Sequence, residues 1–312
     1  MTKARDSRLA GTSDREQARA TSMVPSTDEV TLALHEFGDD IDRSKTIVLV
    51  CHANGLCALA YEPFARSLGE ELRPVAVDFR GHGSSTSRSE LDFAWSGFAH
   101  DVEAVLDALA GEVATPDRFT VHGVGHSMGG AALLLAAARR PDAFASLWMF
   151  EPIVPPPMRP MRQGASNPVA DQAERRRTDF SSYEEAISNF ASKPPLNELD
   201  PEALRGYVVG GFAPTETGVT LRCRPEWEAA IFRNALSNGV WDVLQSVTVP
   251  VLVAAGRQGS EMHPASFAKA TVEKLPRAIL ENHEDLGHFG PLEDPRTMAG
   301  SVRDWIATHD PN

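Results

Sequence analysis

Residues 119–130 read FTVHGVGHSMGG, and the fold turns on this stretch. The segment Phe119–Gly123 reads as a buried strand. It leads into Gly125-His126-Ser127-Met128-Gly129, and the Ala/Leu-rich segment Gly129–Arg140 then reads as a helix that Pro141 stops. The central five residues fit G-x-S-x-G in the strand–turn–helix setting that the motif needs. A chain that turns from strand to helix within one residue strains the backbone at the serine, and bulky flanking side chains would clash there. The start of the helix offers amides and a positive dipole end to a developing anion. Ser127 therefore reads as a nucleophile.

Working outward, TIVLVC (Thr46–Cys51), RPVAVD (Arg73–Asp78), ASLWMF (Ala145–Phe150) and PVLVAA (Pro250–Ala255) are near-continuous apolar runs. Such runs mark strands buried on both faces. Val30–Glu36 reads as a first strand and Ala278–Glu281 as a short late one. Tyr61–Leu68, the Val102/Val105/Leu106/Leu109 spacing, the segment from Pro264, and Pro295–Thr308 read as helices. Strands alternating with helices imply an α/β fold with a mostly parallel sheet, which binds ligands at the carboxyl ends of its strands. The rhythm breaks between Pro152 and Val247, a stretch rich in Pro, Arg, Glu and aromatic residues that reads as helical without buried strands. The expected organisation is a flexible tail (1–26), a core (27–152 and 248–312) and a helical lid, or cap, inserted at 153–247 after the strand ending at Phe150.

The 312 residues are 42% hydrophobic, enough for a sizeable core, and the net charge is −13. That charge repels phosphate backbones, so nucleic acid is not an expected partner. Three cysteines (Cys51, Cys57 and Cys223) without CxxC spacing suit neither a disulfide framework nor a zinc finger, and point to a reducing, cytoplasmic setting. No secretory apolar segment and no membrane-spanning run of ~18 apolar residues is visible.

A serine hydroxyl is a poor nucleophile until a base takes its proton, and histidine suits neutral pH. His288, in Leu286-Gly287-His288-Phe289, follows the last short strand and so falls on the same sheet edge as Ser127. His283 competes with it from the same loop. His52-Ala53-Asn54-Gly55, directly after TIVLVC, has the small residues that let a loop amide face a substrate oxygen. The amides of Asn54 and Met128 are the expected oxyanion hole, and the Asn54 side chain is a possible extra donor. His52, His126 and Trp227 are candidate substrate-binding residues. His126 and His82 also read as packing or hydrogen-bonding members of the site wall.

Taken together, HANG, RGHG (Arg80–Gly83), GHSMGG and GHF resemble the α/β-hydrolase superfamily from about Val30 to Thr308. The resemblance implies that fold, a serine hydrolase with an acyl-enzyme intermediate, and no metal or organic cofactor. One motif departs from it. The family usually places an Asp in the loop after the strand read here as PVLVAA, but Gly256-Arg257-Gln258-Gly259-Ser260-Glu261 holds none. Glu261 is one candidate for the triad acid. Glu151, directly after ASLWMF, is the other, and resembles the branch including haloalkane dehalogenases that draws its acid from this earlier strand. Both give the order Ser…Glu…His.

Unlike the dehalogenases, the chain has serine at the elbow, which points to attack on a carbonyl. The leading expectation is a carboxylic-ester hydrolase acting on a small or medium, mainly apolar substrate. Thioesterase, lactonase or amidase activity, hydrolysis of a carbon–carbon bond beside a ketone, and perhydrolysis are open on the same site. A non-catalytic ligand-binding protein on a hydrolase scaffold is the reading from another class. In the lid, Arg175-Arg176-Arg177 reads either as helix surface charge or as a source of one Arg that reaches the site or a buried Glu and binds an acidic group.

Overall fold

A computed structural model describes residues 22–37, 46–88, 90–112, 120–157, 167–260 and 263–310. Phe119, Glu261 and residues 1–21 lie outside them. The first half runs β1 (Ser22–Pro25), β2 (Thr31–Glu36), β3 (Thr46–Cys51), α1 (Glu62–Arg66), β4 (Leu72–Asp78), α2 (Trp95–Gly111), β5 (Val121–His126), α3 (Met128–Arg139) and β6 (Ser146–Phe150). The insertion holds α4 (Pro168–Glu174), β7 (Asp179–Phe180), α5 (Tyr183–Ala191), α6 (Pro201–Gly211), β8 (Phe212–Thr215), β9 (Gly218–Leu221), α7 (Pro225–Asn234) and α8 (Val240–Val243). The chain then returns through β10 (Val251–Ala255), α9 (Ala268–Lys274), β11 (Ala278–Asn282), α10 (Gly290–Glu293) and α11 (Pro295–Ala307).

Eight strands form one sheet in the order β1-β2-β4-β3-β5-β6-β10-β11. β2 is antiparallel to β1 and β4, and the pairs from β4 to β11 are parallel. In a strand, successive side chains point to opposite faces. Ile47, Leu49 and Cys51 accordingly join α2 and α3 in one buried cluster, while Val48 and Val50 join α1 and α11 in another. This two-sided burial is why TIVLVC carries no polar residue after Thr46. Each fully buried Val or Leu contributes roughly 1.5–3 kcal/mol.

Two expectations are corrected. The tail does not run to residue 26: Ser22–Pro25 pair with Thr31–Leu34 and extend the sheet. The cap is not purely helical, because β7, β9 and β8 form an antiparallel sheet of their own. Its sheet is short, and Phe180, Phe212, Val219 and Leu221 bury its inner face.

Arg80 of the RGHG turn ties the core's first elements together. Its Nε and Nη2 donate to the two carboxylate oxygens of buried Asp101 on α2, each at 2.9 Å, and Nη1 donates to Asp28 between β1 and β2. A bidentate, fully buried pair of this kind fixes orientation more than it adds net stability.

Candidate active site

Register brings the functional segments to one sheet edge. Cys51 lies beside Gly125, Phe150 lies beside both His126 and Ala254, and Ala255 lies beside Asn282. The residues that follow are His52–Gly55, Ser127, Glu151, the loop from Gly256, and His283–Phe289. All leave carboxyl ends of neighbouring parallel strands.

Ser127 sits at φ 54°, ψ −112° between β5 and α3. Such a conformation costs on the order of 1–3 kcal/mol and persists only where the surroundings hold it. Here Ser127 N–H donates to Phe150 O (3.0 Å), and Ser127 O accepts from Ile153 N–H and Ala131 N–H (both 3.2 Å). A Cβ on Gly125 would lie 2.4 Å from Gly130 Cα, and one on Gly129 would lie 2.1 Å from Cys51 O, so the motif's two glycines answer to close backbone approach. Met128 opens α3, so its N–H has no partner four residues back within the helix.

Glu151 is fully buried at φ 44°. Its Oε1 accepts from Gly256 N–H at 2.8 Å, and its Oε2 accepts from His288 Nδ1–H at 2.6 Å. That bond leaves His288 Nε2 as the ring's free lone pair. The backbone around His288 is pinned by Glu293, whose carboxylate accepts from Gly287 N–H (2.8 Å) and Phe289 N–H (3.1 Å). His283 turns instead to Glu281 on β11. Glu261, the other candidate acid, lies outside the described residues.

His126, His52 and His82 make hydrogen bonds that tie the surrounding loops together. His126 donates through Nε2–H to His288 O (2.7 Å), so its Nδ1 accepts from the Tyr61 hydroxyl (2.7 Å), which in turn accepts from Ala53 N–H (3.1 Å). This buried relay joins the Asn54 loop to the His288 loop. His52 donates through Nδ1–H to Ala53 O (2.8 Å) and accepts Phe79 N–H on Nε2 (3.0 Å). His82 donates to Arg80 O (2.9 Å) and accepts Gly55 N–H (3.1 Å), holding the turn after Asn54. His52 and His126 thus have both ring nitrogens engaged, and neither borders the cap cavity. Trp227 is outside that lining too: it packs on Phe93, with Arg224 4.7 Å above its ring. The Asn54 side chain donates to Glu228 O of α7 (3.0 Å), tying the loop to the cap.

A cavity of about 480 Å³ lies where the insertion meets Asn54, Gly55, Leu56 and Phe289 of the core; Ser127, Met128, Glu151 and His288 are not among the residues that line it. Arg176 reaches from the cap to Glu228 and Tyr207. Gly55 has positive φ beneath that carboxylate, and a Cβ there would lie 2.5 Å from Glu228 Oε1.

Tyr61, Glu293, Glu228 and His263 carried no signal in the sequence, since each acts through a partner distant in the chain or set by a loop. His263 Nδ1 lies 3.9 Å from Glu151 Oε2 and caps the turn at Ala265. Burial lowers its pKa first, and the His288 charge adds to this, although the Glu151 charge opposes them.

Burial also holds His52 down to about 3 and His82 and His122 down to about 4. In the unfolded chain each titrates near ~6.5. Between these values the unfolded state binds more protons, so stability is complete above pH ~6.5 and is lost as pH falls toward ~4. This linkage of proton binding to folding acts in the same direction for all three histidines. Urea midpoints are therefore expected to drop steeply from pH 7 to pH 5, and a flat profile there would contradict the neutral, buried imidazoles.

A family model described as the alpha/beta hydrolase family matches residues 47–300. Protein phosphatase methylesterase 1 of Mus musculus is 30% identical over 177 residues, covering 56% of this chain and 43% of the methylesterase. The chain thus spans less than half the length of that relative. A 2-(acetamidomethylene)succinate hydrolase of Mesorhizobium japonicum is 25% identical over 246 residues, covering 78% of this chain and 80% of that enzyme. A crystal structure of E-2-(acetamidomethylene)succinate hydrolase superposes with a TM-score of 0.70 at 21% identity, covering 91% of this chain and 98% of the other, a likeness of fold. Among the described residues, no helix is long and apolar enough to cross a membrane.

Proposed function

Because the chain belongs to the alpha/beta hydrolase family, we propose that it is a serine hydrolase cleaving a carboxylic ester through a Ser127–His288–Glu151 triad. The observation that carries this reading is the 2.6 Å bond from His288 Nδ1–H to a fully buried carboxylate, beside a strained serine at a strand–helix joint. The methylesterase's name supports ester cleavage in a relative that shares about half of this chain.

In this mechanism His288 Nε2 takes the Ser127 proton as Oγ attacks the carbonyl. Glu151 holds the imidazole in the tautomer with Nδ1 protonated, and stabilises the cation that forms. The N–H groups of Met128 and Asn54 receive the oxyanion, each donor being worth about 10²–10³ in rate. His288 returns its proton to the leaving alcohol, and water then releases the acyl group by the same steps in reverse.

The test is a fluorophosphonate probe combined with a panel of p-nitrophenyl esters of graded acyl length. The expected result is a covalent adduct mapped by mass spectrometry to the peptide containing Ser127, together with turnover of at least the short esters. Absence of both would replace this reading with a ligand-binding protein on a hydrolase scaffold.

A further inference from the structure

The cap cavity is charged against the grain of the chain. Acidic residues outnumber Lys and Arg 43 to 30 overall, yet Arg175, Arg176, Arg177 and Lys193 border this cavity, and Glu228 is the one carboxylate among its described lining residues. Two of the four cations are already matched. Arg176 is taken by Glu228 and Tyr207. Arg177 donates to Glu185 Oε1 and to Asp179 O, each at 2.7 Å, and lies over the Phe180 ring.

The other two are not matched. Lys193 donates to the neutral Asn189 Oδ1 at 2.7 Å and has no carboxylate partner among the described residues. Arg175 has no side-chain partner there, although α4 and α5 place it and Lys193 on the same cavity. Leu56, Phe190, Leu196, Phe232 and Phe289 make the wall beside them largely apolar. Both cations are solvent-exposed, and unpaired cations bordering a cavity raise the local concentration of anions there. A neutral ligand would leave those charges unanswered.

We propose that the substrate is an ester bearing a carboxylate at the end remote from the scissile carbonyl, received by Arg175 and Lys193. The apolar wall takes the intervening methylenes, and the Asn54–Gly55 loop meets the carbonyl end. This deepens the hydrolase reading and rests on it for the position of the carbonyl, but the charge recognition can be measured without catalysis.

The experiment compares mono-p-nitrophenyl glutarate with p-nitrophenyl valerate, which carries a methyl in place of the carboxylate. In wild type the glutarate ester is expected to have the higher kcat/KM, with an advantage that shrinks as salt rises. In the R175Q/K193Q double variant the glutarate-to-valerate ratio is expected to fall about tenfold, in line with the loss of two exposed ion pairs. R175K/K193R, which keeps both charges, should restore most of it.

Calorimetric binding of the same glutarate ester to Ser127→Ala protein supplies the arm independent of turnover, and the double substitution should weaken it by a similar factor. If neither ester is hydrolysed but charge-dependent binding persists, the hydrolase reading and the ester assignment fall, and the recognition of a carboxylate by Arg175 and Lys193 stands. If valerate is hydrolysed while the ratio and the binding ignore both substitutions, the inference falls and the hydrolase reading stands.

Discussion

Ser127→Ala is expected to lower kcat/KM for an activated ester by about a millionfold, the scale seen when a triad nucleophile is removed. The residual rate should still exceed that in water by about 10³–10⁴, because the Met128 and Asn54 amides and the binding cavity remain. The substitution is a clean one. Alanine meets the same backbone demand at φ 54° as serine, and the bonds that hold the elbow run through backbone atoms of residue 127. The melting temperature should therefore stay within about 2 °C of wild type, as for other changes that remove no cap, cavity wall or buried pair. Steady-state p-nitrophenol release and a thermal scan on the same preparation check both halves. Retention of more than about one part in a hundred of the activity would mean that another group attacks. The three cysteines offer no substitute. All are buried, and burial raises the thiol pKa of each, keeping them protonated.

What the sequence made legible follows the range over which each feature is determined. The elbow could be read because its geometry is local: a strand, one strained residue and a helix, with glycines where the backbones of Gly130 and Cys51 come within reach of a Cβ. The parallel sheet could be read because burial on both faces leaves β3 after Thr46 and β6 after Ser146 without polar residues. Asn54 could be expected at the sheet's carboxyl edge because it follows buried β3 directly, and His288 because its loop follows β11, the last strand.

Where the outcome depended on pairing across the fold, the reading stopped short. Ser22–Pro25 has a single buried residue, Val24, and owes its strand to its register with β2. In the cap, Pro214 speaks against a strand, yet β8 lies at the edge of its sheet, where a missing N–H is tolerated. His52 and His126 looked like wall residues open to substrate. Only the positions of Phe79 N, Tyr61 and His288 O reveal that their nitrogens are occupied. The choice between Glu151 and Glu261 was beyond chain order altogether, because both lie between Ser127 and His288.

Glu151→Gln decides that choice, and an activity loss of about 10⁴ in kcat is expected, with KM little changed. The side chain keeps its size and can still accept Gly256 N–H through its amide oxygen. Its amide nitrogen then faces His288 Nδ1, where two N–H groups would oppose each other. The imidazole escapes this by moving its proton to Nε2, which removes the lone pair that should accept the serine proton. The enzyme is thereby left with its nucleophile in place and its base in the wrong tautomer. A carboxamide also cannot stabilise the imidazolium of the transition state. Glu261→Gln should change kcat by less than about threefold, the range of substitutions that touch no catalytic or buried pair. The reverse ranking, with Glu261→Gln the damaging change, would move the acid to the loop after β10. His263, 3.9 Å from the same carboxylate oxygen, is too distant to replace the bond that His288 makes. His263→Gln should thus leave the large gap between the two glutamate variants in place, which separates loss of the His288 partner from a general disturbance of this corner of the sheet.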